Sequence, residues 1–127
     1  MRVQMRLSHE ARIILEEIKL DTLKKEGKNL SYSDIFNRIC SEIKDDYLKI
    51  NWLKVYNHVE YEGIINHYTS INPTALTLTD DSLDLIDRLI SIFNEQLEMK
   101  RTVYKSFVVR MILKAYILKQ NNHNINK

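Results

Sequence analysis

Arg2, Gln4 and Arg6 occupy every second position of the opening stretch Arg2-Val3-Gln4-Met5-Arg6-Leu7-Ser8, and Val3, Met5 and Leu7 fill the places between them. Successive side chains of a strand point to opposite faces, so this spacing predicts one basic, polar face and one apolar face. Two guanidinium forks and an amide in a row can read the edges of base pairs. Arginine can grip guanine in bidentate fashion and glutamine adenine, each pair contributing on the order of 1–3 kcal/mol of discrimination. A solvated edge strand would carry the same residues without any ligand. So short a strand cannot fold alone, and the rest of the chain must hold it in place.

A helical pattern follows at once. Ser8 is a good N-cap, with Glu10 in the first turn. Ala11, Ile14, Leu15, Ile18 and Thr22 form one face at helical spacing. The polar break Glu26-Gly27-Lys28-Asn29 ends that helix, with Gly27 as a turn or C-cap residue. Ser31 opens a second helix whose buried face is Ile35, Phe36, Ile39, Cys40 and Ile43, with Arg38 on its outer side. Strand, helix, turn and helix, with a polar and basic strand face, is the layout of a β-ribbon that reads DNA.

Residues 45–72 read as a helical connector. Tyr47, Ile50, Trp52 or Leu53, Tyr56 and Val59 thread onto a helix, and Gly63 interrupts it. Asn72-Pro73 marks a turn. Thr74-Ala75-Leu76-Thr77-Leu78-Thr79 then alternates as a second strand. Thr79 caps a helix with Leu85, Ile86, Leu89 and Phe93 on its apolar face, and Thr102 opens a last helix with Phe107, Val108, Met111, Ile112 and Ala115. The Asn-rich tail, 120–127, is expected to be disordered. A shift of 71 carries Met5, Leu7 and Ser8 onto Leu76, Leu78 and Thr79, and Ile14, Leu15 and Ile18 onto Leu85, Ile86 and Leu89. A shift of 72 carries Ile35, Phe36, Arg38, Ile39 and Cys40 onto Phe107, Val108, Arg110, Met111 and Ile112. The halves 1–44 and 73–119 therefore read as two copies of one unit.

Composition narrows the function classes. The chain has 127 residues, 44% of them hydrophobic and 28% charged, which suits one compact unit or two very small ones. Its 2 glycines and 1 proline leave little loop chemistry and favour helices. The N-terminal segment lacks the apolar core of a signal peptide, and no apolar run reaches membrane-spanning length. A single cysteine, Cys40, excludes an internal disulfide and fits a reducing compartment, so the expected location is cytoplasmic. Net charge is only +2, so its distribution matters more than its sum. Arg2 and Arg6 stand without an acid in the first eight residues, and Lys100, Arg101, Lys105, Arg110, Lys114 and Lys119 follow one another with no acid between them. This segregation suggests a basic face. His9, His58, His67 and His123 lack metal-ligand spacing and there is no Gly-rich phosphate loop, so neither an enzyme nor a metal or other cofactor is expected.

The stretches Val3-Gln4-Met5-Arg6-Leu7-Ser8, Leu30-Ser31-Tyr32-Ser33-Asp34-Ile35-Phe36 and Tyr104-Lys105-Ser106-Phe107-Val108-Val109-Arg110 together resemble the ribbon-helix-helix family of DNA-binding proteins, the family of the Arc, MetJ and CopG repressors. The resemblance covers both halves but neither connector nor tail. It implies an α+β, mostly α fold: two ribbon-helix-helix repeats in one chain, with an antiparallel two-stranded ribbon packed on helices. Pairing within one chain or between two chains of a homodimer both remain open. The tandem arrangement resembles TraY-type accessory proteins of conjugative plasmids, which bind near an origin of transfer and can regulate their own operon. On this resemblance Arg2, Gln4 and Arg6 would read bases, and helix-start amides would hold phosphates with help from Ser31, Ser33, Lys100, Arg101, Thr102 and Lys105. For Ser31 and Thr102, plain helix capping is the competing role.

The second copy departs from the pattern. Pro73, Ala75 and Thr77 stand where the first has Arg2, Gln4 and Arg6. Ala75 can touch a thymine methyl and Thr77 can donate a hydrogen bond, but neither is a strong reader. Double-stranded DNA is thus the expected partner, a relaxase or other mobile-element protein a second one, and a membrane is not expected. A repressor, a relaxosome accessory and a partition-type centromere binder would share these residues. The rival class is an antitoxin or partition-type adaptor whose main partner is a protein.

Overall fold

A computed structural model describes residues 1–65, 72–97 and 103–127. The alternating N-terminal stretch forms β1 (Arg2–Met5) and its distant counterpart forms β2 (Thr74–Thr77). They pair antiparallel, with Arg2 opposite Thr77, Val3 opposite Leu76, Gln4 opposite Ala75 and Met5 opposite Thr74. Both strands belong to this one chain. Met5, Leu7, Leu76 and Leu78 lie buried beneath the ribbon, which explains the register: a one-residue slip would turn them out to solvent.

Polar caps start the next helices. Helix α1 (His9–Glu26) begins where Ser8 Oγ accepts from the Ala11 amide at 3.1 Å, and ends at Gly27, whose φ of 69° suits glycine. Helix α2 (Tyr32–Asp46) is capped by Ser31. Among its described residues the connector holds two short helices, α3 (Trp52–Asn57) and α4 (Glu62–Ile65), which bury Trp52, Val55 and Ile64. Gly63 lies inside α4, where its missing Cβ leaves room for the Glu10 carboxylate. Helix α5 (Asp80–Gln96) is capped by Thr79, with Asp80 and Asp81 in its first turn.

Helix α6 (Lys105–Gln120) organises the interior. Ten of its residues are buried, in an unbroken run from Phe107 to Ala115 and again at Leu118. It packs against α1, α2, α3, α4 and α5, so most of its circumference is apolar, and the two cations it buries, Arg110 and Lys114, must find partners inside the protein. Trp52, Phe93 and Phe107 meet edge to face near its start, at centroid separations of 5.2 and 6.0 Å.

This arrangement corrects the expected fold class. The described residues are 66% helical, with six helices and a single sheet of two short strands, so the chain is mostly helical and not two ribbon-helix-helix repeats. In paired repeats α2 and α6 would be equivalent. Here α2 buries one stripe while α6 is enclosed, and the connector packs on α6 as part of the same core. The matches at shifts of 71 and 72 reflect helical periodicity, which any two amphipathic helices share. The tail also differs from expectation: Ile125 is buried and accepts from the Asn51 amide at 2.8 Å, and Ile50 bridges Asn126. An apolar residue at the right distance from the end of α6 outweighs the Asn-rich composition around it.

Candidate nucleic-acid interface

The strand register decides which polar groups share a surface. Arg2 and Thr77 are cross-strand neighbours, as are Gln4 and Ala75. Arg6 lies just past β1, in phase with Arg2 and Gln4. Arg2, Gln4, Arg6 and Thr77 are exposed and Ala75 is half-buried, so all five base-reading candidates lie on or beside the outer face of the ribbon. Among the described residues no ion pair or hydrogen bond engages the Arg2, Gln4 or Arg6 side chains. Two guanidinium groups without ion pairs therefore flank one amide on this face.

The ribbon is held by α2. The Thr77 amide donates to Ser33 Oγ at 2.8 Å. The Asn37 amide nitrogen donates to the Thr77 carbonyl at 2.9 Å, and its oxygen accepts from the Thr79 amide at 3.2 Å and from Ser82 Oγ at 2.8 Å. These bonds satisfy both backbone groups of Thr77 with side chains, which blunts that end of the outer edge of β2 against pairing with another strand. They also fix the angle between ribbon and helix. Asn37 is the residue that sequence reasoning missed. Its only signal was a polar amide set between the buried pairs Ile35–Phe36 and Ile39–Cys40.

The phosphate candidates fare differently. Ser31 spends its oxygen on the cap, accepting from the Asp34 amide at 3.1 Å, and Asp34 places a carboxylate in the same turn. Ser33 is committed to Thr77. Lys105 opens α6, whose N-cap, Tyr104, makes no side-chain capping bond. Lys100, Arg101 and Thr102 lie outside the described residues. The basic face expected from Lys100 to Lys119 does not form among the described residues. Arg110 and Lys114 are buried, and Lys119 pairs with Asp46 at 2.5 Å. Arg110 Nη1 donates to the Ile65 carbonyl at 3.3 Å, and Lys114 Nζ to the His58 carbonyl at 2.8 Å, so both cations serve the connector.

What fold and surface together define is a mostly helical protein that displays a short two-stranded ribbon with a polar, cationic outer face. No protein-family model, curated protein or solved structure matches the chain. No helix among the described residues is long and apolar enough to cross a membrane.

Proposed function

We propose that this protein binds double-stranded DNA in a sequence-specific manner, with the outer face of the ribbon in the major groove. The reading rests on one observation: the register gathers Arg2, Gln4, Arg6, Ala75 and Thr77 at one face, with the arginines free of counter-charges among the described residues. A two-stranded ribbon fits the major groove, where forked donors distinguish base pairs. The strand pair closes within one chain, so the two sides of the reading face differ and the favoured site is asymmetric. Regulation of its own locus, or assembly near an origin of transfer on a mobile element, is the setting we attach to this reading.

The test is titration of duplex fragments from the protein's own locus, read by fluorescence anisotropy across a range of salt. Affinity should fall steeply with salt, because phosphate contacts release counterions. Arg6→Ala should weaken the preferred duplex by on the order of 1–3 kcal/mol and blur its preference over a scrambled duplex, as loss of a bidentate contact does. Thr77→Ala should weaken it less. Lys105→Ala should weaken both duplexes alike. Absence of binding at low salt would sink the reading and favour a protein partner instead.

A further inference from the structure

Away from the ribbon, the C-terminal half of α1, the middle of α2 and the end of α6 enclose a groove of about 440 Å³. Its floor is apolar. Ile18 and Ile117 are half-buried there, and Ile39 lies beneath them. The rim is acidic: Glu17 and Asp21 come from α1, Glu26 from its last residue and Glu42 from α2. The two bases at the rim are already engaged. Lys25 pairs with Asp21 at 3.1 Å, and Arg38 pairs with Glu26 at 2.6 Å. Glu17 and Glu42, both exposed, make no direct ion pair among the described residues, Arg38 acting on Glu42 only at longer range, so two negative charges stand over an apolar floor.

We propose that this groove docks a cationic segment of a partner protein, with apolar anchors on Ile18 and Ile117 and lysine or arginine side chains against Glu17 and Glu42. Charge complementarity selects the occupant. An acidic segment or a nucleic-acid backbone would meet like charge at the rim, whereas a basic segment supplies the two missing counter-charges. The Tyr116 hydroxyl, half-buried at the groove, shows the same field: burial, and then Glu42, push its pKa above the usual tyrosine value. Neither residues nor test depend on the ribbon's reading of DNA.

The experiment selects a random 16-residue peptide library on the immobilised full chain, then measures the recovered peptides on wild type and on E17K/E42K. Both positions are exposed, so the double variant keeps its fold, and circular dichroism checks this. The expected peptides carry net positive charge with apolar residues, shift the methyl resonances of Ile18, Ile39 and Ile117, and lose about tenfold or more in affinity on E17K/E42K. A copy of such a peptide with its bases exchanged for acids should prefer the double variant. The proposal is overturned by an empty selection, by peptides without cationic excess, by affinity unchanged in E17K/E42K, or by shifts confined to other surfaces. Concentration-dependent shifts of the same methyls without peptide would identify a second copy of the chain as the occupant, and would overturn it too.

Discussion

Lys114 is fully buried, an unusual place for an ammonium group, and its Nζ donates to the carbonyls of Tyr56 at 3.3 Å and His58 at 2.8 Å. Those carbonyls end α3, where positive charge is favourable. Lys114→Met should leave them unpaired and lower stability by about 1–3 kcal/mol for each buried acceptor not satisfied by water, read by urea unfolding. Burial pushes the Lys114 pKa below the usual lysine value of 10.5, against the opposing pull of Glu62 and Glu10. The unfolded chain therefore holds this proton to higher pH than the folded one. Between the folded value and 10.5 the group's contribution to stability rises with pH, and below the folded value it is flat. The difference in urea midpoint between wild type and Lys114→Met should widen in the wild type's favour across that alkaline window. Cys40 illustrates the opposite use of burial: its thiol is pushed up to about 12, chiefly by desolvation. It should react with a thiol reagent at pH 8 no faster than the protein opens; rapid stoichiometric labelling of the native state would contradict this placement.

Caps show how much one element depends on another. Ser8 Oγ accepts from the Ala11 amide and also donates to the Ile64 carbonyl at 2.6 Å, so it starts α1 and ties it to α4. Ser31 performs only the first task, in solvent. Ser8→Ala should lower stability by roughly 2–3 kcal/mol, against about 1 kcal/mol for Ser31→Ala, because only the former strands a buried carbonyl. Equal losses in thermal unfolding would show that the Ile64 bond contributes nothing. Both caps were legible from residue type and spacing alone, as was Thr79, because a cap is a local event. The buried faces of α2 and α5 were legible for the same reason: Ile35, Phe36, Ile39, Cys40 and Ile43 are all buried, as are Leu85, Ile86, Leu89 and Phe93. The strand alternation marked β1 and β2 and, with their residue types, the outer face of the candidate site. What stayed hidden was relational. Nothing local distinguishes an α6 with bases at 110 and 114 on a solvent face from one that buries them against connector carbonyls. Nothing local tells Asn37 that the Thr77 carbonyl, forty residues away, will need a donor.

At the scale of the whole molecule, the chain's end is built into its middle. Ile125 is buried, Asn51 donates to its carbonyl, and the Lys127 amide donates to the Lys49 carbonyl at 2.9 Å. His123 Nε2 lies 2.6 Å from the Glu60 carboxylate and Asn121 donates to the Tyr61 hydroxyl, so the tail braces the connector from several sides. Removing residues 121–127 should lower stability by at least the roughly 1.5–3 kcal/mol of one buried isoleucine, as a shift of the single unfolding transition. An unchanged denaturant midpoint would mean that the tail is dispensable. The ribbon has a different dependence on the rest. Its two strands are separated by some seventy residues of chain, which include the two long helices α1 and α2. Closing that distance exacts loop entropy before any strand–strand bond returns it, so the ribbon is expected to form after the local helices. Until Thr77 has left the ribosome, the row of Arg2, Gln4 and Arg6 has no surface to belong to. A nascent or truncated chain ending before β2 therefore keeps the polar residues of the ribbon without their geometry.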